Sequence, residues 1–358
     1  MIVILLILMT VAGYVGWHLW MLPPVLWLRW TLVGVEVACV AMAVLSLTRY
    51  LDRMPYGLSV AVYNVGNKGL IILLYLFMVF LLADLLRLVQ VLPTAWLRDS
   101  WWTCVVLFVV MAALFVYASL NYEHKRRVEL TIDTHGKVDH PVKVLAVSDL
   151  HLGYHNRRAD LDRWIDILNN EGGDMLLMAG DLIDRSVRPL LHENMAEGLR
   201  KLGMPVYACL GNHEYYSDYY TPGEVERFYR DANIILLRDS VATVGDIVIV
   251  GRDDRTNRHR KGIQSFKLSN SEVTILLDHQ PSHLEEAGLA GADLQISGHT
   301  HRGQIWPLSW ITDALYECSW GTLTKGGTTY CVTSGLGIWG AKYRIGTQSE
   351  FIVINLVP

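Results

Sequence analysis

Five short segments between residues 149 and 301 carry side chains that bind divalent metal ions. Their ligands are carboxylate, amide and imidazole groups, and none of the five contains cysteine. Oxygen and nitrogen donors of this kind suit manganese, iron or zinc, and pairs of such ions hydrolyse phosphate esters. Each segment alone is common, so the signal is their joint occurrence. They read Asp149-Leu150-His151, Gly180-Asp181-Leu182-Ile183-Asp184, Gly211-Asn212-His213-Glu214, His279-Gln280-Pro281 and Gly298-His299-Thr300-His301.

Each segment follows an apolar run that is typical of a buried strand. Residues 142–148 are mostly apolar, as expected for a strand covered on both faces, and they are followed by Asp149. Because parallel strands present their carboxyl ends at one edge of a sheet, we expect the five segments to converge there. The predicted strands before the segments are residues 142–148, 174–179, 205–210, 273–277 and 293–296.

Helical patterns alternate with these strands. Residues 159–169 place Leu161, Trp164 and Leu168 on one face, as an amphipathic helix does. Alternation of strands and helices predicts an α/β domain. Further helices are predicted at residues 189–202 and 222–231 and after Pro281, and further strands at residues 128–134, 234–237, 242–244, 247–250 and within 328–357.

The first third of the chain is much more apolar than the rest. Four segments, residues 2–20, 25–47, 69–92 and 101–120, are long enough to cross a bilayer. The first lacks the basic start and the cleavage site of a signal peptide, so we interpret it as a retained helix. Residues 50–67 are predicted to be a loop at the inner membrane surface. The sequence therefore predicts four transmembrane helices over residues 1–121 and a soluble domain over residues 122–358.

Charge predicts the orientation of these spans. Arg49, Arg53 and Lys68 lie between the second and third spans, and residues 125–127 are all basic. Since basic residues stay on the cytoplasmic side, we expect a multi-pass protein of the inner (plasma) membrane whose soluble domain faces the cytoplasm. Seven tryptophans fall near the opposite interface, which fits the same orientation: Trp17, Trp20, Trp27, Trp30, Trp96, Trp101 and Trp102.

Three ionisable residues lie within the predicted spans. Asp84 and Arg87 are one turn apart and can neutralise each other, although charges at this depth also occur at functional sites. Glu36 has no partner that the sequence reveals, so a structural and a functional role stay equally open. The five scattered cysteines indicate free thiols rather than a disulfide framework. A net charge of −4 without a long basic run gives no support for nucleic-acid binding.

Residues 128–358 resemble the calcineurin-like metallophosphoesterase family, in particular its bacterial membrane-associated branch. The segments 148–153, Ser-Asp-Leu-His-Leu-Gly, and 297–304, Ser-Gly-His-Thr-His-Arg-Gly-Gln, carry the resemblance. In that family the fold is an α/β sandwich of two sheets flanked by helices. The expected fold class is therefore an N-terminal four-helix transmembrane region followed by a two-sheet α/β metallophosphoesterase-like domain.

The resemblance also implies residue roles. One divalent ion would be held by Asp149, His151, Asp181 and His301, and a second by Asp181, Asn212, His279 and His299, with Asp181 giving one oxygen to each. The ions could be manganese, iron, zinc or magnesium. A hydroxide shared by two ions about 3.5–4 Å apart would attack phosphorus. His213 would be the general acid and Asp184 would orient its ring, with second-shell positioning as the alternative role for His213.

Further residues near the five segments have structural or functional roles. Arg185 could clamp a phosphate oxygen or form a surface salt bridge, and Glu214 is expected to be structural. Residues 252–262 are rich in cations that could meet lipid headgroups or a second phosphate, or could be a solvated loop. Tyr215, Tyr216, Tyr219 and Tyr220 either line a substrate groove or pack against the domain.

The predicted function is hydrolysis of a phosphodiester, phosphomonoester or pyrophosphate by a membrane-anchored dimetal enzyme. The expected partners are a phosphorylated small-molecule or lipid substrate and the membrane, with no nucleic acid. The related branch includes enzymes that hydrolyse UDP-diacylglucosamine, which makes that lipid the leading specific candidate. The alternatives are a membrane-tethered phosphoprotein phosphatase and a non-catalytic membrane sensor or scaffold.

Overall fold

The computed structural model describes residues 2–266, 268–269 and 271–358. Within this part of the chain there are two compact units. One contains the chain up to Ser119 together with Gly340–Lys342, and the other contains Leu120–Trp339 and Tyr343–Pro358. We refer to them as the helical unit and the catalytic unit.

Long apolar helices build the helical unit. Four helices among the described residues are long and apolar enough to cross a membrane. Apolar side chains pack between them, among them Val15, Leu73 and Phe80. The helices are α1 (Ile2–Met21), α2 (Leu26–Ser46), α3 (Tyr56–Leu88) and α4 (Trp101–Glu123).

The predicted loop over residues 50–67 is wrong for most of its length. A short 3-10 turn covers Leu51–Arg53, and residues from Tyr56 onward already belong to α3. Polar side chains in this part of α3 form hydrogen bonds within the helix. Asn64 and Asn67 each donate to the backbone carbonyl four residues earlier, at 2.8 Å. Their side chains thus add hydrogen bonds without breaking the backbone ladder.

Polar groups inside the helical unit are arranged around one carboxylate. Asp84 accepts a hydrogen bond from the hydroxyl of Tyr14 at 2.8 Å, and His18 Nε2 lies 3.1 Å away. Arg87 Nη2 lies 3.5 Å from the other carboxylate oxygen, which agrees with the predicted pairing. Glu36, in contrast, borders an apolar cavity of about 380 Å³ between the helices, and its Oε1 has no hydrogen-bond partner among the described residues.

Two six-stranded sheets form the centre of the catalytic unit. The strands are β1 (Lys125–Asp133), β2 (Val142–Val147), β3 (Met175–Ala179), β4 (Val206–Cys209), β5 (Ile235–Leu236), β6 (Ser240–Val244), β7 (Ile247–Gly251), β8 (Val273–Leu277), β9 (Leu294–Ser297), β10 (Gly321–Lys325), β11 (Thr328–Val332) and β12 (Ser349–Val357). The first sheet has the order β1-β12-β2-β3-β4-β5, and the second has the order β10-β11-β9-β8-β7-β6.

Parallel pairing dominates where the five segments lie. β2, β3 and β4 are parallel neighbours, and so are β7, β8 and β9. Their residues are fully buried from Met175 to Ala179 and from Val273 to Leu277, because each sheet is covered on both faces. The expectation of one common sheet edge is therefore wrong in detail, since the segments follow strands of two sheets.

Apolar side chains between the sheets form the central layer of the core, with Ala146, Leu177 and Cys209 facing Ile249 and Ile296. Helices cover the outer faces. Leu161 and Phe228 pack on the first sheet, and Leu284 packs on the second. The helices of the catalytic unit are α5 (Arg158–Glu171), α6 (Arg188–His192), α7 (Met195–Leu199), α8 (Asn212–Tyr220), α9 (Glu224–Asp231), α10 (Glu285–Leu289) and α11 (Leu308–Leu315). The two-sheet sandwich that the resemblance implied is confirmed.

One predicted helix needs correction, and two helices were not predicted. The helix predicted over residues 189–202 is two short helices, because Asn194 has a left-handed backbone with φ of 50°. The sequence pattern missed α8, which begins at Asn212, because its residues are mostly polar and aromatic. It also missed α11, which follows the last metal-binding segment.

Candidate metal centre

The five segments meet at the ends of strands from both sheets. Asp149 follows β2, Asp181 follows β3 and Asn212 follows β4 in the first sheet. His279 follows β8 and His299 follows β9 in the second sheet. Since the two sheets pack face to face, their strand ends bring residues more than a hundred positions apart into one cluster.

Asp149, His151 and His301 form the first ligand group. One potential ligand atom from each lies within 4.8 Å of the others, and all three residues are buried. The Nε2 atoms of His151 and His301 face each other at 3.0 Å, and Asp149 Oδ1 lies 3.4 Å from the second of them. Neighbouring ligands of one ion with bonds of about 2.1 Å are separated by about 3 Å, so this spacing fits a shared cation.

Asp181, Asn212, His279 and His299 form the second ligand group. Asp181, His279 and His299 again place ligand atoms within 4.8 Å of one another. The Oδ1 atom of Asn212 lies 2.9 Å from His299 Nδ1. His279 Nε2 lies 3.1 Å from Asp181 Oδ2 but is not aligned for a hydrogen bond. Two ligand atoms that lie close together without a hydrogen bond between them are expected where both are directed at a common ion.

One oxygen of Asp181 lies between the groups. Its Oδ2 is 3.6 Å from His151 Nε2 and 3.1 Å from His279 Nε2. Its Oδ1 instead accepts a hydrogen bond from the backbone N–H of His213 at 3.0 Å. Oδ2 is therefore the oxygen of Asp181 that faces histidines of both groups, and the assignment of one oxygen to each ion stays a prediction.

The donor set fits divalent cations. Buried polar groups are normally hydrogen-bonded, yet His279 Nε2, which faces Asp181, is buried without a hydrogen-bond partner among the described residues. The cluster combines carboxylates, an amide and neutral-capable imidazoles in a buried pocket. Such ligands bind manganese, iron or zinc, and the charge of the carboxylates offsets that of the cations.

The imidazoles are held in orientation by atoms behind them. His279 Nδ1 donates to the backbone carbonyl of Ala179 at 2.7 Å, which directs Nε2 toward Asp181. His151 Nδ1 lies 3.5 Å from the carboxylate of Asp184, which leaves its Nε2 toward His301. Outer contacts of this kind fix the tautomer of a ligating histidine.

His213 lies beside the first ligand group. Its ring packs edge-on against His151, with centroids 4.5 Å apart, and its side chain is 14% exposed. Its Nδ1 donates to the backbone carbonyl of Asp184, whose carboxylate is farther away at 3.9 Å. Asp184 therefore contacts His213 through its main chain. Burial lowers the pKa of His213, while the carboxylate of Asp181 opposes the shift.

Glu214 supports the turns that follow β3 and β4. Its carboxylate accepts hydrogen bonds from the backbone N–H groups of Asp181 at 3.1 Å, Ile183 at 2.9 Å and Gly211 at 2.8 Å. Burial and the neighbouring charge of Asp181 raise the pKa of Glu214 to about 7, and the backbone donors oppose this shift. These contacts are those of a structural residue.

The ligand-bearing turns have unusual backbone conformations. Five of the seven proposed ligands have positive φ angles, which cost free energy in residues other than glycine. The surrounding contacts must supply that energy. The five are Asp149 (53°), His151 (44°), Asp181 (52°), His299 (69°) and His301 (49°).

Two glycines are required by close approach to the carboxylates. A Cβ atom on Gly211 would lie 2.1 Å from Asp181 Oδ1, and one on Gly298 would lie 2.1 Å from Asp149 Oδ2. Glycine is therefore required at position 211 by the close approach of Asp181. The strand ends can converge only where these side chains are absent.

Sequence reasoning missed the buried residues that hold the first ligand group. Arg344 is fully buried and donates to the backbone carbonyl of His301 at 2.7 Å. Its desolvation lowers its pKa to about 10. Asn156, also fully buried, donates to the carbonyl of His151 at 3.2 Å. The hydroxyl of Ser148 donates to Asp149. Only the Ser-Asp pair was visible in the sequence, because the other two residues bond to backbone carbonyls.

The remaining candidates differ in their surroundings. Arg185 is partly buried directly after Asp184, and its role as a phosphate clamp stays a prediction. Tyr216 lies 5.2 Å from His213, measured between ring centroids, whereas the hydroxyl of Tyr215 bonds to Asp253 at 2.5 Å. Tyr219 is 80% exposed, and the side chain of Tyr220 lies outside the described residues.

The cationic segment over residues 252–262 is not a solvated loop throughout. Arg252 is buried and bonds to Asp278 at 3.0 Å and to Glu286 at 2.7 Å. Arg260 also reaches Asp278, at 3.1 Å. These two guanidinium groups are neutralised within the domain, so a direct lipid contact is excluded for Arg252 by its burial.

The sequence matches those of known metallophosphoesterases. The family model of the calcineurin-like phosphoesterases matches residues 142–303. An uncharacterized metallophosphoesterase of Campylobacter jejuni is 30% identical over 259 residues, which cover 69% of this chain and 68% of that protein. A transmembrane protein with metallophosphoesterase domain from Danio rerio is 27% identical over 334 residues, covering 86% of this chain and 75% of that protein.

Among solved structures, a 5'-nucleotidase precursor from Thermus thermophilus aligns with 61% of this chain and 54% of its own, at 14% identity and a TM-score of 0.37. The segment that matches the family model includes the metal-binding motifs from Asp149 to His301. The chain belongs to the calcineurin-like metallophosphoesterase family.

Proposed function

We propose that this protein is a membrane-anchored dimetal phosphoesterase. The observation that carries the proposal is the position of Asp181 Oδ2 between two buried ligand groups, 3.6 Å from His151 and 3.1 Å from His279. A carboxylate with histidines of both groups beside it supports a pair of ions. This position favours the proposal over a mononuclear site or a scaffold.

Each group would hold one divalent ion. Asp149, His151, His301 and Asp181 would bind the first, and Asp181, Asn212, His279 and His299 the second. When bound, the two ions supply Lewis acidity, which lowers the pKa of water and offsets the negative charge on phosphoryl oxygens. The neutral amide of Asn212 limits the negative charge that faces an anionic substrate.

Departure of the leaving group would be assisted by His213. The carbonyl of Asp184 occupies its Nδ1, so Nε2 is the atom that can give a proton to the leaving oxygen. Burial lowers the pKa of His213, and the carboxylates of Asp181 and Asp184 oppose this shift in favour of the protonated ring that the role needs. Arg185, one residue beyond Asp184, would contribute its guanidinium to a phosphate oxygen.

The helical unit would keep this chemistry at a membrane. Residues 1–121 would form the anchor and residues 122–358 the catalytic domain. Basic residues on one side of the predicted spans support a cytoplasmic catalytic domain in the inner membrane: Arg49, Arg53 and, at the start of β1, Lys125, Arg126 and Arg127. Anchoring favours substrates that reside at the membrane, of which a lipid pyrophosphate such as UDP-diacylglucosamine is the leading candidate.

A substrate panel tests the proposal. The full-length protein in detergent would be assayed with p-nitrophenyl phosphodiesters, phosphomonoesters, phosphopeptides and lipid pyrophosphates, each with added Mn²⁺, Mg²⁺, Zn²⁺ or Fe²⁺. We expect metal-dependent turnover of at least one ester and its loss in Asp181→Ala. If phosphopeptides alone react, the protein is a phosphoprotein phosphatase, and if every substrate is inert with every metal, the proposal is wrong.

A further inference from the structure

One short region of the catalytic unit carries a group of exposed apolar side chains. Four of its exposed large apolar residues lie within ten positions, directly after the last metal-binding segment. They are Trp306 (41% exposed), Trp310 (65%), Ile311 (54%) and Leu315 (73%). Concentration of large apolar groups on a surface indicates an interaction site.

Most of these side chains lie on α11, and they share one face. Trp310, Ile311, Ala314 and Leu315 fall within an arc of about 140° on a helix that turns about 100° per residue. All four are exposed, and α11 has no buried residue. A surface helix of a soluble domain normally turns its apolar face to the core, so α11 is oriented in the opposite way.

The polar side of α11 is the side that bonds to the domain. Asp313 accepts a hydrogen bond from the hydroxyl of Ser319, which lies outside the helix. Before the helix, the N–H of Trp306 bonds to the carbonyl of Ile345 at 2.8 Å. These two bonds hold the polar side of α11 and its start against the domain, so the apolar face is directed outward.

Two tryptophans add to this surface. The rings of Trp306 and Trp310 pack edge-on, with centroids 5.4 Å apart. Tryptophan is the residue most typical of the interface between lipid headgroups and acyl chains, where its ring is buried and its N–H stays hydrated. An exposed surface of tryptophan, isoleucine and leucine is the composition of an interfacial helix.

We propose that α11 and Trp306 form a surface that inserts into the lipid bilayer. The chain itself supplies the bilayer, because it carries four candidate spans and only His124 separates the end of α4 from the start of β1. A domain connected so closely to a span remains within reach of the headgroups. The apolar surface that would be a liability on a free soluble domain then has a lipid environment.

The position of this surface has a consequence for the substrate. His301, a proposed ligand, lies only seven positions before Leu308, where α11 begins. Insertion of α11 would keep the segment that carries His301 near the bilayer, which favours phosphate esters carried by lipids as substrates. This consequence rests on the proposed function, whereas the insertion itself does not.

Spin-label accessibility tests the insertion directly. Leu315→Cys and, as a matched control, Leu289→Cys would be labelled in the full-length protein in phosphatidylcholine nanodiscs. Leu289 is 79% exposed on α10 and carries no part of the proposed surface. Identically treated wild-type protein gives the background from Cys39 and Cys104, which are the incompletely buried native thiols.

We expect the label at position 315 to be accessible to oxygen and shielded from a water-soluble nickel complex, and the label at 289 to show the reverse. Introducing Ile311→Asp should raise nickel accessibility at 315 by about an order of magnitude, because a carboxylate opposes insertion. If 315 resembles 289, the inference is wrong. If 315 is shielded from both reagents, a protein surface such as a second copy covers α11, and lipid insertion is likewise excluded.

These measurements need no turnover. Loss of hydrolysis in the substrate panel would overturn the proposed function without changing label accessibility. Conversely, a water-exposed label on an active enzyme would overturn only the lipid insertion. The two proposals therefore fail separately.

Discussion

The two ligand groups are built from similar side chains but are supported in different ways. In the second group, backbone atoms next to the ligands do the positioning: the carbonyl of Ala179 holds His279, and the N–H of His213 holds Asp181. In the first group, distant side chains do it, since Asp184 faces His151 and Arg344 bonds to the carbonyl of His301.

The difference has consequences for both stability and prediction. Support from the adjacent backbone persists through most side-chain substitutions, so the second group should tolerate mutation of its surroundings. Support from remote side chains can be removed one residue at a time, so the first group should be more sensitive. The effects expected from single substitutions follow this division.

Asp181 belongs to both groups, and its removal should have the largest effect. Asp181→Ala takes away the one oxygen that lies between the two groups, so we expect loss of both ions and a decrease in kcat/KM of about 10³-fold or more. Metal content by elemental analysis and hydrolysis of a p-nitrophenyl phosphodiester measure this. Asp246→Ala, in the exposed turn between β6 and β7, is the matched control. Retention of two ions by the Asp181 variant would disprove the bridging role.

His213 should affect turnover without affecting metal content. His213→Gln removes the proposed acid, so kcat should fall by about 10²–10⁴-fold for an alkyl phosphodiester, whose leaving group needs a proton. It should fall much less for a p-nitrophenyl ester, whose leaving group departs as an anion. His259→Gln, in an exposed loop, controls for the loss of a histidine. An equal decrease with both esters would instead indicate a positioning role.

For the second ligand group, the order of strands in the sequence predicted which residues lie close together. Asp181, Asn212 and His279 each follow an apolar run, and parallel strands bring such positions together by a general rule. The same rule could not reveal that two sheets are involved, because nothing local distinguishes β4 from β8. Only the family resemblance indicated the second sheet.

The support of the first group could not be predicted from local patterns. Arg344 and Asn156 both act through backbone carbonyls, 43 and 5 positions away respectively, and a carbonyl carries no sequence signature. An isolated arginine near the end of the chain reads as a surface residue, since buried arginines are rare. The outward face of α11 was also missed. Its eight residues do not form a distinctive pattern, and the sequence does not reveal which side of the helix bonds to the domain.

Asp184 distinguishes the two modes of support within one residue. Asp184→Asn keeps the main-chain carbonyl that holds His213, but it removes the carboxylate that faces His151 at 3.5 Å. We expect metal affinity at the first group to fall by about 10–100-fold, as for other outer-sphere partners, with the second site unaffected. Titration of metal-depleted protein by calorimetry would resolve the two sites. Once the sites are saturated, the preference for p-nitrophenyl over alkyl esters should match that of the wild type, which His213→Gln cannot do. Equal weakening of both sites would contradict the division.

Glu214 should produce the smallest effect on chemistry and a clear effect on folding. Its carboxylate receives three backbone N–H groups beneath the second ligand group, and a glutamine there would turn its own N–H₂ toward at least one of them. Leaving a buried donor unsatisfied costs about 1–3 kcal/mol, so Glu214→Gln should lower the free energy of unfolding by that amount. Chemical denaturation of the detergent-solubilised protein, followed by tryptophan fluorescence, measures it. Glu226→Gln loses only an exposed ion pair with Arg238 and should change little. Because the backbone of the second group is otherwise intact, the Glu214 variant should bind metal with near-normal affinity below its unfolding transition. A large loss of metal affinity without a loss of stability would show that the adjacent backbone does not suffice to hold the second group.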